Sequence, residues 1–200
     1  MNHRLLLLLA LLPLTALLTG CDRSAPKQAA RPAAPTPAKM AMLAVPKDAI
    51  RGDFDGDGVP EYVWLVPPRL TADEQDCVGN CIAYLTCSNP AIRPYGIKQA
   101  IGGTLTKFSH LDASGRDYVG VLPEWFTSCW APYYLLECPG RAWQPALPSF
   151  STHCNQWEAG TVPVEPDPAR PGNVLVHYSG WDQEDIVTKT KSVALKLAQK

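Results

Sequence analysis

The stretch Gly52-Asp53-Phe54-Asp55-Gly56-Asp57-Gly58-Val59-Pro60-Glu61-Tyr62-Val63-Trp64-Leu65-Val66 decides how this chain is read. Its first half places carboxylates at Asp53, Asp55, Asp57 and Glu61, with glycine at Gly56 and Gly58. Calcium takes roughly six to eight oxygen ligands, and alternate acidic side chains on a tight loop can converge on one ion. Gly58 permits the sharp turn, and the carbonyl of Val59 would complete the set. Four carboxylates this close repel one another without a cation. The expected cofactor is one structural Ca2+, held by Asp53, Asp55, Asp57, Val59 and Glu61. The second half is rich in β-formers, and Pro60 discourages a helix just before it. An EF-hand needs a glutamate at the twelfth loop position, and Trp64 stands there. The loop therefore leads into a strand.

Gly52-Asp53-Phe54-Asp55-Gly56-Asp57-Gly58 resembles the loop of FG-GAP and related propeller-type repeats, in which such a run precedes a strand. The resemblance implies a calcium loop inside a β unit. It covers this loop and the start of the strand, not the whole chain. A fainter copy follows at His110-Leu111-Asp112-Ala113-Ser114-Gly115-Arg116-Asp117. Asp112, Ser114, Gly115 and Asp117 fall opposite Asp55, Asp57, Gly58 and Glu61. Glu61-Tyr62-Val63 and Asp117-Tyr118-Val119 both lead on to a proline, Pro67 or Pro123. The second loop has too few carboxylates for tight calcium binding. Propellers usually have four blades or more, and this chain has room for two or three units. The expected fold is all-β: a small, mostly antiparallel domain of two degenerate propeller-like units, not a complete propeller. A third β region is expected at Val174 to Tyr178 and Ile186 to Leu195. Lys189 and Lys191 there would suit an exposed edge strand.

The N-terminus reads as a targeting segment. His3 and Arg4 precede an apolar run from Leu5 to Leu18, shorter than the ~20 residues of a membrane span. It ends in Leu18-Thr19-Gly20-Cys21, which resembles the lipobox of bacterial lipoproteins. That resemblance implies a signal peptide over residues 1–20 and acylation of Cys21 on the new N-terminus. Asp22 slightly favours the inner membrane. Residues 21–44 are rich in alanine and proline and lack aromatic side chains, as a tether would. Residues 45–200 form the expected β-rich domain on the periplasmic face. The formal net charge is −1, with no basic stripe, which argues against a nucleic-acid partner.

Cys77, Cys81, Cys87, Cys129, Cys138 and Cys154 remain in the domain. An even number in an exported chain reads as a disulfide framework of undetermined connectivity. Two aromatic segments are candidate binding loops: Trp125, Phe126 and Trp130 in the first, His153 and Trp157 in the second. Residues 161–171, rich in proline, read as a long loop.

No nucleophile elbow or zinc-protease motif is present. The chain reads as a non-enzymatic, membrane-anchored, calcium-binding lipoprotein that binds a periplasmic protein. An inhibitor or immunity protein against a cell-wall hydrolase is its most concrete form. A structural or assembly subunit of an envelope complex, and an envelope-acting enzyme drawing on an acid such as Glu124, are the alternatives.

Overall fold

The computed structural model describes residues 44–196. The signal segment, Cys21, nearly all of the tether and residues 197–200 lie outside the described residues. The described chain is all-β, in three antiparallel sheets, none of them closed into a barrel. The first sheet runs in chain order: β1 (Ile50–Gly52), β2 (Glu61–Val66), β3 (Ile82–Cys87), β4 (Tyr95–Lys98). The second repeats that order with β5 (Gly102–Phe108), β6 (Tyr118–Glu124), β7 (Trp130–Glu137) and β8 (Gln144–Pro145). One more strand, β9 (Phe150–His153), pairs with the first half of β7. After a short helix, α1 (Cys154–Glu158), the chain closes with β10 (Val164–Pro166), β11 (Asn173–Asp182) and β12 (Asp185–Ala194). These form the third sheet, in chain order.

The acidic loop joins β1 to β2. Its fainter copy joins β5 to β6, the same place in the second meander.

The central strands of the second sheet, β6 and the second half of β7, are buried on both faces, which explains their nearly unbroken apolar runs, whereas β5 is mostly exposed. Side chains alternate along a strand. Val119 and Val121 of β6 and Leu136 of β7 face a core shared with Phe54, Val63, Leu85, Ile97 and Trp143. Tyr118, Tyr133 and Leu135 face a second core with Phe150, Val174, Val176 and Leu195. Gly120 sits in β6 where a Cβ would run into the Tyr133 hydroxyl and lie 2.6 Å from the Phe108 ring. That position has room only for hydrogen.

Several expectations are corrected. Cys77 bonds Cys81, and Cys129 bonds Cys154. Cys87 and Cys138 are not disulfide-bonded; they are buried free thiols packed in the first core. There they act as small apolar side chains. Burial pushes the Cys87 thiol up to about 11 and the Cys138 thiol up to about 12. Residues 161–171 are not one loop, because β10 crosses them and pairs with β11. β12 is an edge strand, since it pairs with β11 alone. Its lysines lean back over the sheet instead of guarding the edge. Lys189 donates to the Trp181 carbonyl at 2.6 Å, and the Lys191 ammonium sits 4.9 Å from the Tyr178 ring centre.

Candidate metal centre and aromatic cleft

β1 and β2 set the loop by their register. Gly52 pairs with Glu61, so the intervening residues must fold back within one tight turn. Phe54 is the loop's anchor, completely buried in the first core. Burying such a ring contributes about 1.5–3 kcal/mol. Asp53, Asp55 and Asp57 alternate around it on the outer side. One carboxylate oxygen from each lies within 4.8 Å of the others.

The carboxylates also fold the loop. Asp53 accepts from the N–H groups of Gly56 at 2.9 Å and Gly58 at 3.0 Å. Asp55 accepts from the N–H of Asp57 at 3.2 Å, and Asp57 from that of Val59 at 2.7 Å. Gly56 and Gly58 have φ of 79° and 87°, in the left-handed region where a side chain is strained. The turns thus hold three acids on one side of the loop before any ligand arrives. Burial raises the Asp55 pKa above its ordinary value, and repulsion from Asp57 and Asp53 adds to it. A divalent cation would relieve both effects.

Glu61 does not join the trio. Its side chain is buried and accepts from the Phe54 N–H at 3.0 Å, locking the loop to β2. Burial raises its pKa too, against the lowering effect of that hydrogen bond. Val59 is well exposed, and its N–H is committed to Asp57. The structure therefore brings three of the four expected carboxylates together and gives Glu61 a positioning task.

Residues from outside the first loop complete the site. The Asn89 side-chain amide donates to Asp55 at 3.3 Å from the segment after β3. Asp117 of the second loop docks onto the first, accepting from the Asp53 N–H. Ser109 donates to the same carboxylate at 2.6 Å. The Arg116 stem fills the space under Gly56, where a Cβ would lie 2.5 Å from it. Its guanidinium reaches the buried Glu137 at 3.7 Å. These partners lie far from the first loop in sequence, and no local pattern ties Asn89, Ser109, Arg116 or Asp117 to it.

The second loop keeps its own turn without converging acids. Asp112 accepts from the Ser114 N–H and hydroxyl and from the Tyr118 hydroxyl. Burial works to raise its pKa, but these hydrogen bonds outweigh it and the pKa is lowered.

The five aromatic-loop candidates divide between two places. Trp125 and Trp157 line a cleft of about 440 Å³, together with Thr104, Glu124 and the Cys129–Cys154 bridge. Trp157 lies on α1, not on a loop, and its ring stacks on Tyr133 at 5.5 Å. Phe126 meets Trp125 edge-on at 4.9 Å. Trp130 opens β7, while its neighbour Ala131 lines the cleft. The Trp130 ring instead meets His153 at 4.8 Å and Trp181 at 6.2 Å. His153 caps α1 by accepting from the Asn155 N–H. Trp181 is the exposed member of that cluster.

Set against known protein families, characterised proteins and solved structures, the chain matches none of them.

Proposed function

We propose that this protein is a calcium-stabilised binding module, carried on a lipid tether at the periplasmic face of a bacterial envelope. Its most concrete role is to bind and restrain a cell-wall hydrolase. The observation that carries the metal assignment is the convergence of the Asp53, Asp55 and Asp57 oxygens within 4.8 Å of one another. The acidic turn occupies equivalent places in two four-stranded meanders, which supports reading them as degenerate propeller-like units. The lipobox and paired cysteines support export to an oxidising compartment.

A ligand that binds only the native state stabilises it by about 2.7 kcal/mol at a hundredfold excess over Kd. Millimolar calcium should raise the thermal midpoint by several degrees relative to chelator, and Asp55→Ala should abolish the rise. An unmoved wild-type midpoint would remove calcium from the proposal. The antagonist role is tested by adding the protein to peptidoglycan-clearing assays with secreted hydrolases. Clearing at unchanged rates across the major bond specificities would remove that role.

An envelope-acting enzyme is the second reading, favoured by the place of Glu124 in the cleft. Glycoside hydrolysis usually employs two carboxyl groups, and Glu124 is the one carboxylate in the cleft lining.

A further inference from the structure

We infer that the cleft beside Trp125 and Trp157 receives a cationic side chain, arginine or lysine, from the partner protein. This rests on the reading of the protein as a protein-binding module and names the chemistry its partner must present. Three features converge. The first is an anion without a partner. Glu124 is exposed, and the three ion pairs among the described residues leave it out. Its carboxylate lies over the backbone of Gly102, 3.3 Å from where a Cβ would stand. Register with β5 fixes its backbone there, since Glu124 pairs with Gly102.

The second feature is the company of that carboxylate. Two tryptophans line the same cleft, and no lysine, arginine or histidine does. The face of a tryptophan attracts a cation, and guanidinium groups stack on it readily. The Thr104 hydroxyl offers a further acceptor. A neutral apolar group would gain nothing from the Glu124 carboxylate, whereas a cation would pair with it.

The third feature is rigidity. Trp157 is held by its stack on Tyr133, and the Cys129–Cys154 bridge joins the segment before β7 to α1. Trp157 therefore has little side-chain freedom to lose when a ligand enters. Tryptophan and arginine are both enriched among the anchor residues of protein interfaces.

The experiment uses the full chain with 15N-labelled tryptophan, titrated with N-acetyl-arginine methylamide and followed by indole N–H resonances. The Trp125 and Trp157 signals, assigned through single phenylalanine variants, should move and saturate in the millimolar range. The Trp64 signal should stay still, because that residue is buried. The citrulline analogue, equal in shape but uncharged, should bind at least tenfold more weakly. Glu124→Gln should abolish the arginine response while leaving the other resonances in place. Absence of a shift, equal binding of citrulline, or an unchanged response in Glu124→Gln would each overturn the inference. So would shifts produced by N-acetylglucosamine and not by the arginine probe, which would give the cleft to a glycan. A failed titration alongside hydrolase inhibition would sink this inference and leave the binding-module reading standing. A successful titration without inhibition would do the reverse for the antagonist role.

Discussion

Asp53 and Asp117 hold each other by a reciprocal pair of hydrogen bonds. The Asp53 N–H donates to the Asp117 carboxylate at 3.0 Å, and the Asp117 N–H donates to the Asp53 carbonyl at 2.8 Å. The two acidic turns are thereby one unit, although 64 residues separate these positions. Asp117→Ala should leave the Asp53 N–H and the Ser109 hydroxyl without their acceptor. An unsatisfied, partly buried polar group costs about 1–3 kcal/mol. Urea unfolding should show a loss of that size, and calcium affinity should fall several-fold without vanishing. An unchanged midpoint would mean that water replaces the carboxylate at no cost.

Gly120→Ala should be among the most damaging single-methyl additions in the chain. Its Cβ would meet the Tyr133 hydroxyl and the Phe108 ring, between two well-packed cores. Overpacking of this kind costs about 1–3 kcal/mol, occasionally more. The double variant Gly120→Ala, Tyr133→Phe should recover part of the loss, measured by thermal melts. If the single variant melts with the wild type, the close approach of β6 and Tyr133 is wrong.

The acidic loop should make stability depend on pH in a direction opposite to that of a salt-bridged carboxylate. Asp55 and Glu61 both have raised pKa values, chiefly through burial. The folded state therefore holds their protons more tightly than the unfolded chain does. Their favourable contribution is full below the unfolded values and is lost as pH rises through the folded ones. Asp112 is lowered and pulls the other way, so the comparison is between wild type and Asp55→Asn. In chelator, the variant should gain on the wild type as pH rises through the carboxylate range. The proposed calcium ion would compete with protons for the same oxygens, so its stabilisation of the wild type should be greatest near neutrality and fade in acid. Parallel curves for the two proteins would refute this account.

Cys87 and Cys138 should resist alkylation while the protein is folded. Both are buried, and thiols raised to about 11 and about 12 carry very little thiolate near neutral pH. Iodoacetamide at pH 8 should label neither within minutes. In denaturant without reductant it should label both, and should label Cys77, Cys81, Cys129 and Cys154 only after reduction. Peptide mapping reads each position separately. Rapid native labelling of Cys87 or Cys138 would contradict the packing described for the first core.

Local chemistry explains what could be read from the chain. Alternating acids and glycines specify a turn by themselves, and Tyr62 to Val66 specify the strand that follows. Strand character in β11 and β12 was equally local, while β7 begins at Trp130, which read as part of a loop. The pairing of cysteines was not, because Cys87 and Cys138 differ from their bonded counterparts only in where the folded chain puts them. Glu61 looked like a ligand by spacing, yet its carboxylate is drawn inward by the Phe54 N–H. His153 and Trp157 looked like loop residues. The Gln156 amide, donating to the His177 carbonyl and accepting from the Ser179 hydroxyl, pins that segment as a turn of helix against β11. The partners of Gln156 lie 21 and 23 residues away, and that of Glu61 lies seven residues away, across the turn.

The consecutive strand order of the first two sheets has a kinetic consequence. Each meander zips from neighbouring strands, so its chain closures are short and entropically cheap. The contact between Asp53 and Asp117 closes a far longer span and gains nothing until both meanders exist. It should therefore form late, as a latch between prefolded parts, and mutations there should speed unfolding more than they slow folding. If the proposed ion binds this turn, a turn completed at that stage would grip it fully only in assembled molecules, so occupancy would report that folding has finished instead of starting it.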